Sequence, residues 1–369
     1  MRKIVIVGAG NIGATIASML AETGAYEVLV CDRDASRFDG VERHKAIATQ
    51  VLDTADAAAL RAVLAGRYAV LSAAPFSVTT QIAEAAVAAG IHYFDLTEDV
   101  ASTARVKQLA KDATHALVPQ CGLAPGYISI LANDLARGFD TLESVRLRVG
   151  ALPQYPSNAL KYNLTWSTDG VINEYVEPCE AVVEGRLVNV PAMEEREEFS
   201  LDGMTYEAFN TSGGLGTMCD TYAGRVRLLN YKTIRYPGHA EIMKALLNDL
   251  NLRNRRETLK DILEQALPST SQDVVIVFVT VSGHKGGRLV QETHAQKIYG
   301  RVIGGRFFSA IQVTTAAGIC AVLDLLAAGR LPQSGFVRQE DVALDAFLQN
   351  RFGRNYASAV ERAHLAKIA

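Results

Sequence analysis

Two sets of residues in this chain have the types and spacing for chemistry. The first is the run Gly8-Ala9-Gly10-Asn11-Ile12-Gly13, which follows the apolar Ile4–Val7 and opens a helical pattern over Ile12–Glu22. In a G-x-G-x-x-G turn the first glycine permits a tight bend. The second lets the backbone approach a pyrophosphate, and the third lets helix and strand pack closely. The helix N-terminus, through Asn11 and Ile12, then offers free N–H groups to the phosphates. Asp32 ends the next apolar run about 20 residues on, where an acceptor for the adenosine ribose hydroxyls belongs. A carboxylate there repels a 2′-phosphate and favours NAD, whereas the adjacent Arg33 would admit NADP. Asp53 follows a third strand-like run and is placed near the adenine. Ala73-Ala74-Pro75 follow a fourth, and small residues there let the nicotinamide ribose come close.

The second set is a series of polar segments further along: Gln120–Gly126, Asn163-Leu164-Thr165-Trp166-Ser167, Asn210-Thr211-Ser212-Gly213-Gly214 and Tyr231–His239. The third reads as a polar glycine turn with exposed donors. The last gathers Lys232, Arg235, His239 and two tyrosines beside a Pro-Gly break. A nicotinamide cofactor implies hydride transfer, for which the protein supplies orientation and a proton acceptor. There is no Ser-His-Asp constellation and no Tyr-x-x-x-Lys pair in the first half. The five cysteines are scattered, odd in number and never C-x-x-C, so neither a disulfide framework nor a metal site is expected.

The elements that must position these residues follow from periodicity. Short apolar runs at Ile4–Val7, Val28–Cys31, Ala46–Leu52, Ala69–Ser72, Tyr93–Leu96 and Ala116–Pro119 read as buried parallel strands. They alternate with helices at Ile12–Glu22, Asp56–Leu64, Thr79–Ala89 and Thr103–Ala113. Pro125 suits the first turn of a helix running to about Arg137. Beyond it, strands at Val145–Val149 and Ala181–Val183/Leu187–Val190 precede a hairpin, Asp273–Val281/Leu289–Ile298, turning at His284–Gly287. Helices are expected at Ala240–Leu250, Glu257–Leu267 and Thr314–Leu326. The expected class is α/β: an N-terminal Rossmann doubly wound parallel sheet over residues 1–125, plus an α+β substrate and dimerisation domain over 126–309. The C-terminal segment 310–369 is expected to pack back on the Rossmann part.

Composition narrows the class further. The chain has 369 residues, 49% hydrophobic and 21% charged, with a formal net charge of -3. No basic block could neutralise a row of phosphates, so nucleic acid is not an expected partner. No apolar run reaches the roughly 18–20 residues a membrane crossing needs. The stretch 316–328 is interrupted by Asp324 and reads as a buried helix. The amino terminus has too short an apolar part for a signal peptide, and a cytoplasmic protein is expected.

The glycine turn, G-L-A-P-G at 122–126, N-L-T-W-S, N-T-S-G-G and Y-K-T-I-R-Y-P-G-H-A-E, in that order, resemble the saccharopine dehydrogenase-like family, nearest its lysine 6-dehydrogenase branch. The resemblance covers roughly residues 1–335. It implies a small-molecule amino-acid substrate, a homodimer, and NAD(P)-linked oxidation at a carbon bearing an amine. Ala124 stands where fungal saccharopine reductases carry an aspartate, and Phe76 where they carry a tyrosine; both count against the saccharopine reaction. Trp166 matches the family's substrate-contacting tryptophan and would wall an aliphatic chain. His239, with a near-neutral pKa, is a candidate proton acceptor; it is equally a helix N-terminal residue. Arg235 would clamp a carboxylate, or form a surface salt bridge. Lys232 would hold a carboxylate or polarise an imine hydrate. Thr211, Ser212 and Asn163 are candidate hydrogen-bonding partners of the substrate. Asp95, Glu98 and Asp99 could receive an ammonium or stand as solvated loop charges. Three readings remain open: oxidation of a side-chain amine such as that of lysine, saccharopine- or polyamine-type chemistry, and a non-catalytic NAD(P)-binding sensor.

Overall fold

Residues 1–118 alternate strand and helix. In order they are β1 (Arg2–Val7), α1 (Asn11–Ala21), β2 (Tyr26–Asp32), β3 (Ile47–Val51), α2 (Ala57–Leu64), β4 (Ala69–Ser72), α3 (Phe76–Ala89), β5 (His92–Asp95), α4 (Val100–Leu109) and β6 (Ala116–Val118). The computed structural model describes Met1–Ala357; residues 358–369 of the expected C-terminal segment lie outside the described residues. After β6 come α5 (Tyr127–Arg137), β7 (Thr141–Pro153), α6 (Thr168–Val176), β8 (Cys179–Val183), β9 (Arg186–Val190), β10 (Glu197–Leu201), β11 (Met204–Asn210) and α7 (Met218–Tyr222). Then follow β12 (Val226–Arg235), α8 (His239–Lys244), α9 (Arg256–Ala266), β13 (Asp273–Lys285), β14 (Arg288–Tyr299), β15 (Arg301–Ile303), β16 (Arg306–Phe308), α10 (Ala310–Ala327), β17 (Gly335–Phe336) and α11 (Leu344–Gln349).

The chain divides into two compact units. One comprises Met1–Ile130, Val302–Phe308 and the segment from Gln312 on; the other comprises Leu131–Arg301 and Ser309–Ile311. The first unit holds a seven-stranded sheet in the order β17-β6-β5-β4-β1-β2-β3. Every pairing in it is parallel. Ile4, Val5, Ile6, Val70 and Leu71 are fully buried because helices cover both faces of such a sheet. The order reverses direction between β1 and β4, the place where a doubly wound sheet opens a crevice at its carboxyl edge.

Helix α10 is 18 residues long and apolar enough to cross a membrane by length and composition, yet 78% of it is buried inside the protein. Its one carboxylate, Asp324, accepts hydrogen bonds from Tyr26, Asn350 and Arg351, which ties this helix to β2 and to the segment after α11.

The second unit carries an eight-stranded mixed sheet, β10-β11-β12-β7-β13-β14, with β8 also paired to β12 and β9 paired to β8. Only β12 and β7 run parallel within it. Two of its hairpins turn at two-residue loops with positive φ, Glu184-Gly185 (49° and 77°) and Gly286-Gly287 (58° and 75°). That left-handed pair suits the twist of antiparallel strands. The second turn is shorter than the four residues expected, because both strands extend further toward it.

The bounds of several helices differ from expectation, and one strand was not expected. The helix after Pro125 begins at Tyr127, so Pro125 lies before it. The fourth helix starts at Val100, not Thr103, since Asp99 caps it by accepting from the Ser102 N–H. The segment 226–235 is a central strand. Its Asn230, Lys232, Thr233 and Arg235 give it the polarity of a loop, but interior neighbours on both faces bury it.

Candidate functional site

In the first unit the glycine turn is built as its spacing demands. Gly8 has φ +107°, and a Cβ there would lie 2.6 Å from the Ala73 carbonyl, so the ends of β1 and β4 touch only because the residue is glycine. A Cβ on Gly13 would sit 1.8 Å from the Gly8 carbonyl; α1 rests directly on the turn. A Cβ on Gly10 would meet nothing within 4 Å. Gly10 also caps α1 without any side-chain hydrogen bond, and the first turn of the helix carries no acidic residue. Open space, free N–H groups and a positive helix end are thus presented together, which fits a pyrophosphate.

Asp32 is held in place by the Ala9 N–H on Oδ2 (2.8 Å) and the Asp34 N–H on Oδ1 (3.0 Å). Each oxygen keeps a second acceptor site for a ribose hydroxyl. Arg33 next to it is exposed. Asp53 is exposed just beyond β3 and accepts from the Ala55 N–H. Ala73 and Ala74 follow β4, and Pro75 is the N-cap of α3. All these residues except the helical Gly13 lie at or past strand ends on the carboxyl edge.

In the second unit the polar residues are divided by the period of two along β12. Arg235 and Thr233 point to one face, Lys232 and Ile234 to the other. On the Lys232 face, the ladder sets Arg148 beside Lys232. Both are buried, and both bind the Glu197 carboxylate, Lys232 at 3.0 Å. Burial alone would raise the Glu197 carboxyl, but Arg148 and Lys232 hold it below its usual value. Burial lowers the Lys232 ammonium. The structure therefore does not bring Lys232 together with Arg235 and His239.

Arg235 is only 2% exposed, which excludes the surface salt bridge. Its guanidinium lies over the Tyr162 ring at 5.1 Å and the Tyr175 ring at 5.8 Å. Nε donates to the Tyr175 hydroxyl (2.9 Å), and Nη1 donates to Thr233 Oγ1 and the Ile234 carbonyl. Nη2 has no hydrogen-bond partner among the described residues. Nearby the Tyr162 hydroxyl and Thr165 Oγ1 are also buried without partners, and so is Thr211 Oγ1 at the end of β11. A buried cation with an open donor edge, among unmatched hydroxyls, can receive one carboxylate bidentately.

His239 continues this network. Tyr175 Oη lies 3.0 Å from His239 Nε2, and His239 Nδ1 lies 2.8 Å from the Leu160 carbonyl. A carbonyl can only accept, so Nδ1 carries the proton and Nε2 accepts from the tyrosine. Burial, reinforced by Arg235, lowers the imidazole to about 3, so it is neutral at ordinary pH. Both nitrogens are thus occupied within the protein. The ring links the start of α8 and Tyr175 of α6 to the loop 155–167 that carries Asn163, Thr165 and Trp166. Trp166 packs, partly buried, against the apolar cluster containing Tyr162, Tyr175 and Phe209.

Thr211 and Ser212 are not exposed donors: they are 2% and 5% exposed, because β11 lies inside the sheet. Ser212 ties its turn to α6, its N–H donating to Glu174 and its hydroxyl to Pro178. Asn163 is buried, 3.5 Å from Asn158 Nδ2.

Sequence reading missed Tyr162, Tyr175, Glu174 and Glu207. Glu207 faces Arg235 across the β11–β12 ladder and caps α8 through the Gly238 and Ala240 N–H groups. Glu174, also buried, adds a negative field at Arg235 and at the three tyrosines 162, 175 and 231. None belongs to a local motif. Glu174 shares α6 with Thr168, Asp169 and Asn173, so polarity alone did not single it out.

Comparison with known proteins accords with this architecture. Residues 4–124 match the sequence model of the saccharopine dehydrogenase NADP binding domain, and 122–353 that of the saccharopine dehydrogenase C-terminal domain. The match reaches 353, past the 335 at which the resemblance was expected to stop. The chain is 22% identical over 312 residues to the mitochondrial alpha-aminoadipic semialdehyde synthase of Rattus norvegicus, covering 81% of this chain and 33% of that protein. It is 21% identical over 290 residues to the saccharopine dehydrogenase [NADP(+), L-glutamate-forming] of Pyricularia oryzae, covering 72% and 61%. The chain thus spans about a third of the length of the first of these relatives. Its fold is that of the apo saccharopine dehydrogenase (L-Glu forming) of Saccharomyces cerevisiae, with a TM-score of 0.77 at 16% identity over 95% of this chain and 97% of that one. With both sequence models matched, and the second alone spanning more than half its length, the chain belongs to the saccharopine dehydrogenase family.

Proposed function

We propose that this protein is a nicotinamide-dinucleotide-dependent oxidoreductase that oxidises a side-chain amine of an amino acid, with L-lysine as the type substrate. The observation that carries the reading is Arg235: a buried guanidinium with one open nitrogen, braced by Tyr162, Tyr175 and Thr233. It suits a substrate that presents one carboxylate. The other two buried cations of that sheet, Arg148 and Lys232, are committed to Glu197 on the opposite face, so among the described residues the sheet offers no second buried cation on the Arg235 face for the additional carboxylates of a saccharopine-type substrate. Trp166 supplies an apolar wall for a methylene chain.

The dinucleotide would be held by Gly8, Gly10 and Gly13, the N–H groups of Asn11 and Ile12, and Asp32. When bound, it supplies the hydride acceptor. The chain's own residues orient the amino acid: Arg235 fixes the carboxylate, and the His239–Tyr175 link holds Arg235 and the Trp166 loop in register. Asp32 favours NAD, while Arg33 admits NADP. Asp32→Ala should weaken NAD far more than NADP, and equal effects would refute the preference.

The direct test is reduction of NAD and NADP followed at 340 nm with lysine, ornithine, saccharopine and simple diamines. Turnover of a monocarboxylic diamine supports the reading. Tight dinucleotide binding with no turnover on any amine would replace it with a sensor, and turnover confined to saccharopine would move it to the secondary-amine reaction.

A further inference from the structure

Three carboxylates gather where β5 runs out at the carboxyl edge of the parallel sheet: Asp95, Glu98 and Asp99. Two accept hydrogen bonds within the fold. Asp95 is completely buried and accepts from the Tyr93 hydroxyl and from the Thr97 and Gln120 N–H groups, tying β5 to the segment after β6. Asp99 is the N-cap of α4 and accepts from the Ser102 N–H. Glu98, between them, is different. Its Oε1 is shut off from solvent and has no hydrogen-bond partner among the described residues.

A buried carboxylate oxygen without a donor is costly to keep, and such an atom is rare unless something else comes to meet it. Its position narrows what that is. β5 neighbours β4, with Asp95 opposite Ser72 in the ladder, and Ser72-Ala73-Ala74 is the stretch that abuts the glycine turn. Ligands of doubly wound sheets bind outside the carboxyl ends of the strands on either side of the reversal in order. Glu98, three residues beyond the end of β5, therefore stands by the edge where a nicotinamide ring and its reaction partner belong.

We propose that Glu98 is the proton acceptor for the amine that is oxidised; this rests on the functional reading above. The donor R–CH2–NH3+ gives one N–H proton to Glu98 and becomes R–CH2–NH2. The same carbon then gives up a hydride to the oxidised dinucleotide, leaving R–CH=NH2+. Water adds to the iminium, and ammonium departs with formation of the aldehyde R–CHO. Burial, with the neighbouring charges of Asp99 and Asp95, raises the Glu98 carboxyl to about 7. A base with that affinity accepts a proton near neutral pH and releases it again.

The test uses the full chain and Glu98→Gln, a near-isosteric change that cannot take a proton. In the wild type, kcat/KM for the amine should fall below about pH 7 with unit slope. In Glu98→Gln that limb should vanish and the rate above it should drop about 100-fold to 10,000-fold. NADH affinity should be unchanged. Without turnover, calorimetry of L-lysine binding to the NADH complex near neutral pH, in two buffers of different ionisation enthalpy, should record proton release from the wild type and none from Glu98→Gln. A Glu98→Gln protein that keeps the wild-type rate, limb and proton release overturns the inference and leaves the functional reading standing. A wild type that turns over no amine removes the reading and the inference together.

Discussion

The glycine turn allows two substitutions of the same size to be opposed. Gly10 has φ −67° and ψ −178°, an extended conformation open to alanine, and its added Cβ would meet nothing within 4 Å. Gly10→Ala should therefore leave the free protein as stable as before, or raise its stability by about 0.4–1 kcal/mol through the lost freedom of the unfolded chain. The methyl would occupy the space into which a pyrophosphate must come. Losing one charge-assisted backbone contact, worth about 1.5–3 kcal/mol, predicts roughly 10- to 100-fold weaker dinucleotide binding. Gly13→Ala should do the reverse. Its Cβ would lie 1.8 Å from the Gly8 carbonyl oxygen, so α1 must retreat by roughly 1.5 Å from the turn it rests on. A forced shift of that kind costs about 3 kcal/mol, or a Tm about 6–12 °C lower for a unit of this size. Thermal unfolding without ligand and NADH fluorescence titration separate the two effects. A Gly10→Ala protein that binds NADH normally, or a Gly13→Ala protein that melts with the wild type, would refute the assignment of the turn.

Three other outcomes follow from the geometry. Arg235→Gln should raise KM for the amino acid about 10- to 100-fold, the worth of one charged hydrogen-bond pair, while NADH affinity stays constant; an unchanged KM would detach Arg235 from the substrate. His239 lies folded at about 3 against roughly 6.5 unfolded, so its contribution is complete above the unfolded value and fades as pH falls toward 3. His239→Gln should flatten that acid loss, and the emission of Trp166, the sole tryptophan, should shift as its loop loosens; an unaltered acid limb and spectrum would show that the link is not needed. Asp324 is held below its usual value: burial opposes this, but hydrogen bonds from Arg351, Tyr26 and Asn350 outweigh it. Its contribution is present above the unfolded pKa and lost as pH falls through the folded one. Asp324→Asn should therefore lower Tm at pH 7 and narrow its gap from the wild type in acid, and parallel pH curves would contradict this.

The first strands, the glycine turn and the placing of Asp32 were legible in the sequence because each depends on residues close in the chain. A tight turn, a helix start and a strand end are local events, and glycine spacing together with apolar periodicity encodes them. The Tyr231–His239 segment was legible only as a concentration of useful side chains. Whether they work together depended on its being a strand, and its polar composition hid that. Once β12 pairs with β7 and β11, the period of two sends Lys232 to Arg148 and Glu197 and sends Arg235 to Tyr162 and Tyr175. His239, beyond the strand end, finds its partners in Tyr175 and Leu160, which are 64 and 79 residues away. The difference between Asp95, Glu98 and Asp99 is of the same kind. Three neighbouring acids look alike in sequence, and only the packed structure supplies donors to two of them and leaves the third open.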